Sequence, residues 1–209
     1  GVNKGIESSS KVIMPVLLLL VVGIAVFSIT ISHTDANGVT RTGLEGFKVY
    51  VIPNLDGLTV KQFFTVLVDA MGQLFYSMSI AMGIMISYGS YVKKEVNLNK
   101  SVNQIEIFDT AIALLAGFMI VPAVYVFSGE AGLKTGGAGL MFVTLPKVFE
   151  AMPMGQFIGA AFFVLVLFAA LTSSISLMEA ITSIFMDKFK MKRVPAVILV
   201  TVVSILLGV

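Results

Sequence analysis

The stretch "VLFAALTSSISLM", residues 166–178, sets three hydroxyl side chains, Thr172, Ser173 and Ser174, side by side in a run otherwise made of apolar residues. The sequence around it, residues 154–186, exceeds the roughly 20 residues that carry an α-helix across a hydrocarbon core. Hydroxyls at such a depth have two uses. In the first, Ser and Thr bond back to a carbonyl one turn earlier or across to a neighbouring helix. In the second, their oxygens are ligands. Ala169, Thr172 and Ser173 stand at i, i+3 and i+4 and share one helix face. A loosened Ala169 carbonyl and the two hydroxyls make a three-oxygen half-shell of the kind hard cations such as Na⁺ accept, the other half coming from another helix. One reading embeds the chain in lipid; the other lets it move something through. At this point both stay open.

Composition fixes the medium. Of 209 residues, 57% are hydrophobic and 12% charged, with a mean hydropathy of +0.98, whereas soluble domains carry about 25% charged residues. The chain reads as an all-α, polytopic membrane protein. A net charge of +2 with dispersed carriers excludes a nucleic-acid partner. The absence of cysteine excludes disulfides and thiolate chemistry. The chain opens at Gly1 without a signal-peptide pattern and ends at Val209 inside an apolar run, and is expected to be a piece of a longer protein.

Five spans are expected in a single transmembrane region covering residues 1–209. Residues 12–32 form an uncharged run led by Lys11. The polar stretch "HTDANGVTRTGLEGFKVYVIPNLDG", residues 33–57, reads as a structured outer loop with Gly and Pro turns. The second span, 59–91, is too long and too interrupted by Gly72, Gly83, Gly89 and several serines to be one helix, so two half-helices are expected. "VKKEVNLNKSVNQIEIF", residues 92–108, is a polar connector, and 109–128 is the third span, with Pro122 placed to kink it. The Gly-rich segment 129–153 reads as a loop that folds back onto the protein. Residues 154–186 are the fourth span and 194–209 the fifth.

Charge orients these spans, because short loops rich in Lys and Arg stay cytoplasmic. Lys4, Lys11, Lys93, Lys94, Lys100, Lys188, Lys190, Lys192 and Arg193 fall on one side; Arg41, Lys48, Lys61, Lys134 and Lys147 fall on the other. The first set is larger and sits in the shorter loops, which places the amino end in the cytoplasm.

A complementary feature lies in "MGQLFYSMSIAMG", residues 71–83, where Ser77 and Ser79 lie between Gly72 and Gly83. Unwound backbone at membrane depth is tolerated only where it lines a cavity or is buried by protein. Small residues that merely let helices pack closely are the competing explanation. Two such features in one chain favour a binding site at the membrane midplane.

The runs "GQLFYSMSIAMGIMISYGSYVKK", "FAALTSSISLMEAITSIFMD", "GAGLMFVTLPKVFEAMP" and the opening "GVNKGIESSSKVIMP" together resemble the neurotransmitter:sodium symporter family, most closely its bacterial amino-acid transporters. The resemblance covers essentially the whole chain. It implies part of a LeuT-type inverted-repeat fold with a broken helix at the midplane, the five spans corresponding to about helices five to nine of twelve. The first helix, which supplies the other half of the sites, then lies outside this chain, and the fragment alone is not expected to transport.

Carried over residue by residue, the resemblance implies a sodium site at Ala169, Thr172 and Ser173, and a second at Ser77 and Asp109. Asp109 also suits the role of an interfacial helix cap. The substrate ammonium would meet the carbonyls of Tyr76 and Ser77 and the Ser79 hydroxyl, with the Tyr76 ring closing over it. Ala81, Met82 and Leu177 would line the side-chain pocket. The adaptable Met82 thioether suits a large hydrophobic or aromatic amino acid, or is plain core filler. Tyr91, Glu179 and Asp187 match the inner gate, the last pairing with an arginine on the absent amino-terminal tail. Glu179 lies deep enough to be a functional candidate by default, or a hydrogen-bonding partner for a neighbouring helix.

The resulting expectation is sodium-coupled symport of a hydrophobic or aromatic amino acid by alternating access, in a multi-pass protein of the cell's inner (plasma) membrane. Na⁺ is the co-transported ion and no organic cofactor is expected. The partners are the amino acid, the bilayer and the remaining helices of the same protein. A hydrolytic enzyme is not expected, because the only histidine, His33, falls in an outer loop. The competing function is a transport-dead amino-acid sensor of the same fold, since its binding residues would look identical.

Overall fold

Local chemistry starts the elements. A Thr-x-x-Glu sequence at Thr42 and a Thr-x-x-Gln sequence at Thr59 each close a capping box, in which threonine accepts the third amide and the Glu or Gln side chain accepts the threonine amide. The chain is described here by a computed structural model over residues 6–35, 38–52, 57–93, 95–133 and 139–208, the side chains of residues 6–9, 81 and 139 excepted. The elements are α1 (Ile6–Thr30), β1 (Ser32–Thr34), β2 (Thr40–Thr42), α2 (Gly43–Val51), α3 (Val60–Ser77), a 3₁₀ turn (Ile80–Met82), α4 (Ile84–Gly89), α5 (Leu98–Leu133), α6 (Gly139–Ala151), α7 (Gly155–Phe189) and α8 (Arg193–Gly208). Among the described residues three helical stretches are long and apolar enough to cross a membrane: Ser10–Thr30, Leu98–Leu133 and Gly155–Phe189. The fold is helical apart from one short antiparallel ribbon, β1 with β2, which pairs His33 with Arg41.

The chain divides into two compact units, Gly1–Gly57 with Thr110–Ala169, and Leu58–Asp109 with Ala170–Val209. The first has an apolar core drawn from Ile24 and Ala25 of α1, Met119, Ala123 and Val126 of α5, Leu145, Val148 and Phe149 of α6, and Phe162 of α7. Phe149, Phe162 and Phe163 stack edge to face or tilted, with centroids 5.5 to 5.9 Å apart. The ribbon carries an ion pair between Arg41 and Asp35 at 3.1 Å.

Two expectations change in this unit. Residues 134–138 lie outside the described ones, but from Gly139 the segment read as a folded-back loop is the helix α6. Leu145, Val148 and Phe149 are spaced i, i+3, i+4 and fully or nearly buried, so burial of one face overrides the glycines before it. The outer stretch 33–57 likewise contains α2, started by the Thr42 cap. Within α5, Pro122 has helical dihedrals, and the one break among them is at Gly129, whose φ of 62° and ψ of −162° suit glycine. Pro122 is completely buried, and its φ is already helical, so packing holds the turn that its missing amide weakens.

The packing against Pro122 comes from α2. A Cβ built on Gly46 would fall 2.7 Å from the Pro122 Cα and 2.9 Å from the Tyr125 Cβ. Backbone on one side leaves no room to yield. Gly46→Ala is therefore expected to destabilise the protein by about 1 to 3 kcal/mol, read as a lower thermal unfolding midpoint of the full-length protein in detergent. An unchanged midpoint would mean that α2 does not rest on α5 at this point.

Candidate functional site

The second unit is organised by an interruption. The α3 ladder closes with the Met78 amide donating to Leu74 at 3.0 Å, the Ser79 amide reaches only back to Tyr76 at 3.1 Å, and α-helical bonding resumes where Ser87 donates to Gly83 at 3.0 Å. Two residues in the left-handed region allow this: Gly83 (φ 73°) and, unusually, Ser79 (φ 55°). A left-handed non-glycine residue costs about 1 to 3 kcal/mol and is typical of ligand-clamping segments. No β-branched residue occupies either position, and interrupting the ladder leaves carbonyl capacity that a continuous helix would use up.

At the end of α3 the Ser77 hydroxyl donates to Asp109 Oδ1 at 2.6 Å, the length of a charge-assisted bond. Asp109 lies eleven residues inside α5, which starts at Leu98, so it is not a helix cap. Ser77, Ser79, Asp109 and Ser173 line a cavity of about 250 Å³ together with Tyr88 and Ser176. The polar side chains among its lining residues are hydroxyls and one carboxylate, with Met78, Ile84, Met85 and Ile105 beside them. Such oxygens suit a monovalent cation or an ammonium group. Among the described residues no group of three or more His, Cys, Asp and Glu gathers.

Three adjacent hydroxyls, Thr172, Ser173 and Ser174, stand on α7. Ser174 bonds back to the Ala170 carbonyl at 3.0 Å, the structural use of such a residue. Ser173 faces the cavity, and Thr172 is half-buried beside it on the same helix. Ala169 closes the first unit, while Thr172 and Ser173 belong to the second. Tyr76, Met82 and Leu177 are exposed in this chain and do not line the cavity. The Tyr76 carbonyl accepts the Ser79 amide, which leaves it one further lone pair. Ala81 takes part in the 3₁₀ turn, with its side chain outside the described residues.

Further along α7, Glu179 is 9% exposed. Tyr91 donates to its Oε1 at 2.9 Å, and Arg193, the first residue of α8, donates to its Oε2 at 2.6 Å. Asp187 stands exposed two turns beyond. Sequence reasoning brought Tyr91 and Glu179 together but treated Arg193 only as a loop charge. The signal available was a basic residue opening a helix just past the end of the one that buries an acid. Tyr88 to Ser176 and Ser87 to Ser183 (3.4 Å) are further bonds between α4 and α7 that sequence reasoning missed. His33 is elsewhere, with its ring 5.3 Å from that of Phe127.

Comparison with known proteins adds a second line of observation. The family model described as sodium:neurotransmitter symporter family matches residues 1–209. The chain is 35% identical over 208 residues to an uncharacterized sodium-dependent transporter of Haemophilus influenzae, covering 100% of this chain and 42% of that protein. It is 36% identical over 183 residues to another of Bacillus subtilis, covering 88% and 37%. The crystal structure of MhsT in complex with L-phenylalanine superposes with a TM-score of 0.84 at 37% identity, over 100% of this chain and 44% of that one. The chain thus spans less than half the length of the relatives it matches.

The Glu179 cluster generates a stability prediction. Arg193→Ala would leave a nearly buried carboxylate with the Tyr91 hydroxyl alone among its described partners, a loss of about 1.5 kcal/mol, at the lower end for charged hydrogen bonds because Arg193 is half exposed. Adding Glu179→Gln removes the stranded charge and should recover part of that loss. Thermal unfolding of the full-length protein measures both; equal destabilisation by the single and double variants would show that the pair is not coupled.

Proposed function

The chain belongs to the sodium:neurotransmitter symporter family, and from that membership and the oxygen-lined cavity beside the broken helix we propose that the full-length protein carries an amino acid across the cell's inner (plasma) membrane, driven by sodium. The observation that carries this reading is the Ser77 to Asp109 hydrogen bond at a break where α3 stops. It supports one sodium position at Ser77 and Asp109. The carboxylate keeps free lone pairs after accepting Ser77, and its negative charge offsets a cation in a region of low dielectric. A second sodium is assigned to the hydroxyls of Thr172 and Ser173, with the Ala169 carbonyl that the resemblance adds. The ammonium of the substrate is assigned to the Tyr76 and Ser77 carbonyls and the Ser79 hydroxyl.

The substrate is a hydrophobic or aromatic amino acid. Met82 and Leu177 are apolar and lie on the elements that carry the polar groups, and the structural relative holds L-phenylalanine. Tyr91, Glu179 and Asp187 serve as the inner gate, with Arg193 holding Glu179 in place. Sodium-dependent accumulation of labelled amino acids by the full-length protein in vesicles tests the whole reading. Uptake that saturates at equilibrium without concentrating the substrate would indicate a receptor instead.

Two substitutions test the parts. Thr172→Ala or Ser173→Ala removes a ligand from a cation in a poorly hydrated place, and should raise the sodium concentration needed for substrate binding at least about tenfold, or ~1.4 kcal/mol. A correctly folded double variant with wild-type sodium dependence would dismiss the assignment.

Asp109 bears on the anion requirement. Two sodium ions and a zwitterion bring excess positive charge into a low-dielectric region, which a fixed carboxylate offsets. Wild type is therefore expected to ignore chloride. Asp109→Asn should lose transport in gluconate medium, with chloride restoring part of it. Uptake in gluconate and then chloride at fixed sodium decides the point; a variant that matches wild type in both media shows that the compensating charge lies elsewhere.

A further inference from the structure

Two hydrogen bonds that the transport reading leaves unused run from α4 to the hydroxyl-bearing turn of α7. The Tyr88 hydroxyl is bonded to Ser176 Oγ, and Ser176 Oγ lies 2.9 Å from the Thr172 carbonyl oxygen. Proton counting settles their direction. A carbonyl only accepts, so Ser176 uses its single proton on Thr172, and Tyr88 must donate to Ser176. Both bonds are partly buried, so water competes weakly, and two bonds aligned in one direction polarise each other.

We propose that Tyr88 is a positioning residue for sodium: acting through Ser176, it sets the turn of α7 that carries the Thr172 and Ser173 hydroxyls. This rests on the reading that those hydroxyls hold a sodium ion. A serine that bonds back to the carbonyl four residues earlier competes with the helix amide there and bends the helix. The extent of that bend depends on where the Ser176 hydroxyl is held, and Tyr88 holds it. Tyr88 itself belongs to α4, the half-helix that follows the break at Ser79 and Gly83.

The position of that half-helix is thereby transmitted to the sodium ligands without Tyr88 touching the ion. Ligand constellations tolerate displacements of only about 0.5 Å, and losing a group that orients a metal ligand typically weakens binding about 10- to 100-fold. Sodium is then held tightly only while α4 stands against α7. Movement of α4 away from α7 breaks the Tyr88 bond and loosens the ion in the same step. The neighbouring Ser87 to Ser183 contact, at 3.4 Å, is too long to serve equally.

The test uses sodium alone as the ligand. Thermal unfolding of the purified full-length protein is followed while sodium chloride replaces choline chloride at constant ionic strength, and the half-saturating sodium is read from the rise in midpoint. Tyr88→Phe keeps the ring and removes only the hydroxyl; it should raise half-saturating sodium about tenfold. Ser176→Ala should do the same, the two together no more than either alone, while Ser176→Thr keeps wild-type behaviour. Thr172→Ala separates the two levels of inference. If Thr172→Ala shifts the sodium response and Tyr88→Phe does not, the positioning role is wrong and the sodium site stands. If neither shifts it, or if wild type does not respond to sodium, the sodium assignment fails and this inference falls with it. A Tyr88→Phe protein with a lower midpoint but an unaltered sodium response marks the hydroxyl as a brace only, and overturns the proposal.

Discussion

Backbone that is not hydrogen-bonded to itself must find partners, and the break between Ser77 and Ile84 is where this chain accepts that constraint. Water is scarce inside a bilayer, so a helix interrupted there persists only where other groups replace the lost bonds. Left-handed Ser79 and Gly83 create the interruption. Ser77, held by Asp109, and the hydroxyls that surround the cavity supply the polar environment it needs. An apolar surround would leave the broken segment unsatisfied.

The helix α7 acts as the ruler for this arrangement. Its polar positions Thr172, Ser176, Glu179 and Ser183 recur at intervals of three or four and so form one stripe, with Ser173 next to its first member. Partners for the lower part of that stripe come from α4 and the turn after it: Tyr88 for Ser176, Tyr91 for Glu179, Ser87 for Ser183. The two bonds between hydroxyls are neutral and contribute about 1 kcal/mol net each, weak enough to open during a functional motion, while the bond from Tyr91 to the Glu179 carboxylate is worth about 1.5 to 3 kcal/mol. The Glu179 to Arg193 pair differs, because separating it strands a nearly buried charge.

The first unit follows other rules. Its core is apolar and closely packed, with Phe149 and Phe162 inside and Gly46 allowing α2 to rest on Pro122. Its ribbon carries the Arg41 to Asp35 ion pair, while Ser28 and Thr144 are polar residues buried in the helices. Rigidity comes from dense packing, which resists deformation, rather than from directional bonds that can exchange partners.

Much of this was legible in the residues alone. Composition gave the medium, and the excess length and glycines of 59–91 gave the break, because these depend on local geometry and solvent. The same local rules misled at 139–151, where glycine-rich flanks hid a three-residue buried face. That Asp109 reaches Ser77, that Tyr88 meets Ser176 and that Arg193 meets Glu179 were decided only by the tertiary structure. Those contacts join segments far apart in the chain, and a side chain's periodicity states which way it points, not what stands opposite.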